Sequence, residues 1–538
     1  MIVRVILMMK KFIFLTSFVA GVTLFGTLNA QVLKPFEKSP PQKFNRIDYF
    51  IAQKLSEKNI KRANLCSDAI FIRRLFLDVI GTLPTTKEVK TFLKDKRVNK
   101  RALLINKVLS RKEFAEYWSL KWCDILRVKS EFPINLWPNA VQAYHKWVQQ
   151  ALEKNIPYDK FSRELLLANG SNFKVPQSNF YRAVQSKTPE GIARAVALTF
   201  MGVRYNKQSE ELKKNLARAF SQVKFKRTDE WKEEIVYPDY NIVADFYLDM
   251  PDGQRLLVKS GIDPRIVFTK WLVNGKNKFF TRNIVNRIWF WLMGKGLNDI
   301  ADDLPVNGKL EYEELLSYLQ KELVTHKFNL KHIYRIILNS ATYQQSAISQ
   351  SDSKDAEKYF ANYISQRHDA EVLIDMFDYL AGTGQRYSSV IPEPFTYIPV
   401  TNRTIGLADA SISSPFLENF GRPSRDMGYL AERKNYFNNT QRLYLINSTK
   451  MQTNIFKILK KHKYIVRYNK KLRKFNDRVE YSINELFILI LSRYPSADEM
   501  NLLKEYVTEK AKNGKNYYRA INDVAWTLLN SEEFLMKH

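Results

Sequence analysis

Arg282, Asn283, Asn286 and Arg287 stand three and four residues apart, the spacing that sets side chains on one face of a helix. A glycine-containing turn separates them from Asp299, Asp302 and Asp303. Guanidinium and carboxamide groups grip anionic or sugar oxygens, while clustered carboxylates bind a hard cation or work as an acid–base pair. The competing arrangement is a buried Arg–Asp network tying helix to loop. A second cluster, Arg422, Arg425, Asp426, Glu432 and Arg433, offers the same choice between a ligand grip and a structural lock. The third candidate is a charge run. Residues 451–480 hold ten Lys and Arg, among them Lys460, Lys461, Lys470 and Lys471, against only Asp477 and Glu480, so the run is strongly positive. Tyr464, Tyr468 and Phe475 are interleaved with it. Such a run is either a solvated face or a contact for a polyanion, whose binding then weakens with salt.

Other chemistries are disfavoured by what is missing. The histidines are His145, His326, His332, His368, His462 and His538. None forms H-E-x-x-H, and His326 and His332 lie across an expected turn, so no metal is assigned. The two cysteines, Cys66 and Cys123, are too few for a four-cysteine zinc or iron–sulfur site, and neither lies in C-x-x-C-H. No haem is therefore expected on this chain, and no other cofactor. The two cysteines read either as a disulfide or as two buried thiols acting as small hydrophobes. A nucleophile elbow, a phosphate loop and a dinucleotide fingerprint are all absent, although a triad assembled from distant residues leaves no local trace.

The elements that must position these residues read as helices. Ser67 precedes an apolar stripe of Ile70, Phe71, Leu75, Phe76 and Val79; Gly81 stops it and Pro84 opens the next helix. Thr85 and Glu88 form a capping box, and Ser110 with Glu113 predicts another ahead of the core stripe Phe114, Trp118, Trp122 and Ile125. Further helices are predicted over 265–272, 282–292, 312–323 and 330–338. One segment departs from this pattern: residues 242–249 and 254–259 flank Pro251-Asp252-Gly253, a β-hairpin signal. Residues 383–425 lack periodicity and predict an ordered loop lying on the helices. The chain ends echo each other, with 83–89 matching 494–500 and 101–114 matching 519–534. The expectation is a mainly α protein of two helical domains, 31–260 and 261–538, with the small hairpin at 242–259 near their junction.

The 538 residues carry a formal charge of +30 with 45% apolar content, enough for a sizeable core and a composition suited to anionic partners. Lys10 and Lys11 precede an uncharged stretch ending in Leu28-Asn29-Ala30. That is the layout of a signal peptide over 1–30, which predicts export to the periplasm, cell envelope or medium.

These segments together resemble a tandem pair of exported bacterial domains associated with planctomycete-type cytochromes, the domains of unknown function fifteen-forty-nine and fifteen-fifty-three. The first is carried by Ile47-Asp48-Tyr49-Phe50, by 71–84 (FIRRLFLDVIGTLP) and by Pro157-Tyr158-Asp159-Lys160-Phe161; the second by 282–289 (RNIVNRIW), Gly294-Lys295-Gly296, Asp302-Asp303 and Phe420-Gly421-Arg422-Pro423. The resemblance implies no defined activity. Relatives that carry a Cys-Glu-Cys-Glu-Arg run after the Gly-Arg-Pro segment differ from this chain, which has 425–433 (RDMGYLAER) there. Its partners would be an anionic glycan or envelope polymer, or a separate cytochrome, with export weighing against nucleic acid. The leading functional expectation is an exported binding or accessory protein for anionic polysaccharide. The rivals are a hydrolase or lyase using the Asp/Arg cluster, and a docking partner of a cytochrome.

Overall fold

The computed structural model describes residues 36–241, 244–298, 300–305, 310–391, 397–467, 474–511 and 516–538. Asp299, Lys470 and Lys471, the first residues of the expected hairpin and the leader segment lie outside them.

The chain is mainly α, and its described residues form only two- and three-stranded sheets between the helices. Helix α1 (Asp68–Ile80) starts where the Ser67 hydroxyl accepts the Ile70 N–H, and it ends at Gly81 in the left-handed conformation. A Cβ at Gly81 would stand 2.8 Å from the Tyr117 ring, so the turn needs glycine for space as well as for φ. Helices α2 (Thr86–Lys94), α3 (Lys100–Leu109) and α4 (Lys112–Ile125) then pack on α1. Thr85 and Glu88 make the expected capping box. Ser110 does not cap α4: its hydroxyl donates to the Lys107 carbonyl and closes α3, leaving Arg111 at the start of α4.

The strands Phe246–Asp249 and Arg255–Val258 form the expected hairpin. A second sheet was missed, in which Glu234–Pro238 lies between Val223–Arg227 and Gly170–Ser171. Beyond the hairpin come α5 (Lys278–Met293), α6 (Glu313–Thr325), α7 (Leu330–Leu338) and α8 (Ala370–Ala381). The chain closes with α9 (Thr449–Lys461), α10 (Phe475–Leu491), α11 (Ala497–Ala511) and α12 (Tyr517–Leu529).

The last three of these repeat the opening arrangement. Ser492 takes the left-handed conformation where Gly81 does, and Ser496 with Glu499 reproduces the capping box. Helices α11 and α12 pack on α10 as α2 and α3 do on α1, and α2 also packs against α10.

One apolar cluster runs through the molecule from Ile47 to Leu535. Its centre joins the two halves of the chain: Trp118 of α4 lies 5.2 Å from Trp291 of α5 and 4.5 Å from Tyr334 of α7, centroid to centroid. Burying side chains of this size contributes on the order of 2–3 kcal/mol each. Cys66 and Cys123 are separate buried thiols, and burial pushes the Cys123 thiol up to about 12. Among the described residues, no helix is long and apolar enough to cross a membrane.

Candidate functional site

The first cluster assembles around an irregular turn. Residues Ala197–Met201 widen into a π-turn that stops at Gly202 in the left-handed conformation. A widened turn leaves carbonyls without helical partners, and α5 supplies them. Arg287 donates to the Leu198 carbonyl at 2.7 Å and to the Thr199 carbonyl at 2.5 Å, and Asn283 donates to the latter at 2.8 Å. Arg287 also meets Asp302 at 3.2 Å, and the other Asp302 oxygen accepts the Leu430 N–H at 2.6 Å. Asn286 clamps the following turn, accepting from Leu297 and donating to Asn298 and Ala301. Arg282 pairs with Glu313, and Asp303 with Lys207. Asn283, Arg287 and Asp302 thus meet around the π-turn and Asn286 holds the turn after it, while Arg282 and Asp303 face partners outside the cluster. Asn283, Asn286, Arg287 and Asp302 are buried. Their hydrogen bonds tie the helix to the two turns.

The second cluster locks the 420–433 loop to α4 and α8. Asp124 accepts from Arg425 at 2.9 Å and from Arg433 at 2.8 Å, and Arg433 reaches Glu371 at 2.6 Å. Arg425 adopts φ +59° and donates to the carbonyls of Val128 and Ala408. Glu432 folds back to accept the N–H groups of Met427 and Tyr429. Asp426 pairs with Lys129, while Arg422 reaches Glu418 at 4.0 Å and its buried Nη1 finds no partner among the described residues.

Above this lock opens a cleft of about 250 Å³, walled by Trp291, Tyr429 and Tyr436, with Lys121, Arg433 and Lys537 in its lining. Beneath it lie two carboxylates: Asp78, which the sequence marks for an internal ion pair, and Asp369, which sequence reasoning did not single out. The buried Asp369 accepts from Lys121 at 2.6 Å and from the Tyr117 hydroxyl at 2.8 Å, and Asp78 pairs with Lys537 at 3.1 Å. Burial alone would raise the Asp369 pKa, but Lys121, Arg433 and Lys537 hold it well below the ordinary carboxylate range. Burial pushes Lys121 down to about 8, with the Asp369 charge opposing that shift. No local pattern announces this constellation, because its members come from positions as far apart as 78 and 537.

The basic run behaves differently. Helix α9 is capped by Ser448 and buries Met451, Ile455, Ile458 and Leu459 against its neighbours, which turns its lysines outward. Lys457, Lys460 and Lys463 line a groove of about 410 Å³ together with Phe456 and Tyr518 of α12. No acidic residue lines this groove, and its three lysines make no ion pair with any described residue. Phe456 is 54% and Tyr518 44% exposed, so both rings remain available for stacking. Lys461 instead folds back, its ammonium donating to the Tyr379 carbonyl.

The structure also brings together two histidines that the sequence reading kept apart. Glu322, His326 and His332 form the one group of three or more potential ligands found among the described residues. The missed signal was a carboxylate one helical turn before a histidine, at the end of a helix joined by a tight connection to the next.

Residues 46–225 match the family described as PSCyt2, protein of unknown function (DUF1549), and residues 264–507 match PSD1, protein of unknown function (DUF1553). No curated protein and no solved structure matches the chain.

Proposed function

We propose, for a chain that belongs to the tandem family of proteins of unknown function made of a PSCyt2 segment followed by a PSD1 segment, that it binds an anionic polysaccharide or cell-envelope polymer along α9. One observation carries this reading: Lys457, Lys460 and Lys463 line an open groove with Phe456 and Tyr518 and no opposing carboxylate. Ammonium groups attract sulfate or carboxylate groups at any register along a polymer, while aromatic faces take the apolar side of a sugar ring. Export, which the N-terminal leader pattern favours, would place the groove in contact with such polymers.

The test is binding of a sulfated and a neutral glycan of equal length at low and at physiological salt. The sulfated glycan should bind, and raising the salt should weaken it steeply. The variant Lys457→Glu/Lys460→Glu/Lys463→Glu should abolish binding with the fold intact. Salt-insensitive binding, or equal binding of the neutral glycan, counts against the reading.

A second reading, a polysaccharide-acting lyase or hydrolase, moves away from Asp302 and Asp303, which are already paired with Arg287 and Lys207. It is favoured by Lys121, whose pKa near 8 suits a general base and which lines the floor of an aromatic-walled cleft beside Arg433. Uronate-polymer cleavage by the parent chain, lost in Lys121→Met, would support it; turnover retained in that variant would remove Lys121 from the role.

A further inference from the structure

The connection between α6 and α7 is built at a conformational cost. Lys327 and Phe328 take φ of +52° and +57°, the left-handed region that L residues disfavour. Three contacts hold the turn. The Phe328 N–H donates to Leu323 O at 2.8 Å, the Phe328 carbonyl accepts the Tyr158 N–H at 3.0 Å, and the Asn329 side chain caps α7 by accepting the His332 N–H at 3.3 Å. The tight reversal sets the start of α7 beside the last turn of α6.

That reversal juxtaposes three donors. The rings of His326 and His332 stack with centroids 3.5 Å apart and planes inclined by 20°. His332 Nε2 lies 2.9 Å from Glu322 Oε2, and His326 Nδ1 lies 3.5 Å from the same oxygen. One ligand atom from each of the three residues falls within 4.8 Å of the other two. His326 Nδ1 is also 2.9 Å from the Glu322 backbone carbonyl. His326 Nδ1 and His332 Nε2 are thus the nitrogens that face the Glu322 carboxylate.

An ion pair alone accounts poorly for this geometry. Two imidazoles stacked at 3.5 Å repel each other if both are charged, and a single carboxylate cannot compensate both. Two neutral imidazoles and one carboxylate are instead the donor set of a borderline divalent cation. His326 is exposed and the other two are half-buried, so water can complete the coordination. We propose that Glu322, His326 and His332 bind one divalent transition-metal ion of the Zn²⁺ type, which staples α6 to α7.

The experiment uses the untagged full chain, titrated with Zn²⁺ by calorimetry and with Co²⁺ by visible absorption. One equivalent should bind, and Co²⁺ should give the visible band of a site with nitrogen ligands. Glu322→Gln, His326→Ala and His332→Ala should each weaken binding by about tenfold or more, the scale on which metal sites respond to lost contacts. His462→Ala should bind as the parent does. Far-UV circular dichroism checks each variant; Glu322→Gln and His326→Ala, at the exposed helix end, carry the test if His332→Ala does not fold. Binding that is absent at micromolar ion, or that persists unchanged in these variants, overturns the proposal.

Discussion

Replacing Arg433 by methionine isolates the electrostatic part of the lock, because the new side chain keeps most of the hydrophobic stem while removing the charge. In the parent, Arg433 contacts Asp124 at 2.8 Å, Glu371 at 2.6 Å and Asp369 at 3.6 Å. The substitution leaves Asp124 to Arg425 and Asp369 to Lys121, but Glu371 loses its only ion-pair partner among the described residues. Breaking a buried pair from one side costs about 3–5 kcal/mol, so a loss of about 4 kcal/mol is expected at pH 7.5. With an unfolding entropy of roughly 2 cal/mol/K per residue, a chain of this length should lose about 4 °C in Tm. The sign of the pH dependence is the sharper check. In the parent, burial raises the Glu371 pKa but Arg433 more than offsets it, holding the carboxylate below its ordinary range. Without Arg433 that offset disappears and the folded-state pKa rises above the unfolded value. The protonated form then stabilises the variant at low pH, and this contribution is lost as pH rises through the new pKa. Urea unfolding of parent and variant at pH 7.5 and pH 5 should therefore show the gap narrowing at pH 5, and Glu371→Gln in the Arg433→Met background should recover part of the loss. A loss under about 1 kcal/mol, or a gap that widens at pH 5, would refute the assignment of Arg433 as the keystone of this network.

Acid should destabilise the parent well before its paired carboxylates titrate. Burial pushes His145 and His538 down to about 4, so they stay neutral while the unfolded chain takes up protons below pH 6.5; stability present above 6.5 is lost towards pH 4, at about 3 kcal/mol per histidine. Asp375 opposes this: burial raises it to about 6, so its protonation favours the folded state as pH falls from 6 towards 3.8, by about 3 kcal/mol. His368, held neutral by burial too, adds to this loss, so chemical unfolding followed from pH 7 to pH 4 should show a net destabilisation that Asp375 only partly offsets, and a flat profile would contradict it. Gly202→Ala should be strongly destabilising, because φ is +67° and the new Cβ would meet Asn283 Oδ1 at 2.6 Å. A loss of about 2–4 kcal/mol in thermal unfolding is expected, combining backbone strain with disruption of the Asn283–Thr199 hydrogen bond.

Local signals were legible where local physics decides. Ser67 and Thr85 with Glu88 mark helix starts because their side chains satisfy free N–H groups within one turn. Pro251-Asp252-Gly253 marks the hairpin for a similar reason. Ser110 misled because a serine between two helices can close the first as readily as open the second. The sheet at 223–238 was missed although Val223, Phe225 and Arg227 alternate, since its partner strands are two to five residues long. The lysines of α9 stood out as a run, yet only packing against α12 shows which of them line a groove, with Phe456 and Tyr518 beside them. Within the Arg282–Asp303 group, Arg287 and Asp302 do meet. Its chemistry was not legible, because the carbonyls that occupy it belong to a π-turn some 85 residues upstream.

The tandem arrangement itself has a physical explanation in the way the chain ends meet. Arg74 of α1 donates to the carbonyls of Tyr343, Gln345 and His538, and Arg73 donates to Ile490 O. Both guanidinium groups are buried, and none of these acceptors belongs to the segment matched by the first family. Left without partners in a low-dielectric interior, each would cost several kcal/mol, so the first segment cannot reach this packing by itself. The dependence runs both ways. Lys537 lies beyond the second matched segment, yet it finds its carboxylate in Asp78 of α1, and Asp369 of the second segment finds its cation in Lys121 of α4. These same pairs floor the aromatic cleft. A cleft whose charges are paired only when residues 78, 121, 124, 369, 433 and 537 converge cannot be divided between two independent modules. In this chain, the two families adjoin because each supplies the counter-charges that the other buries.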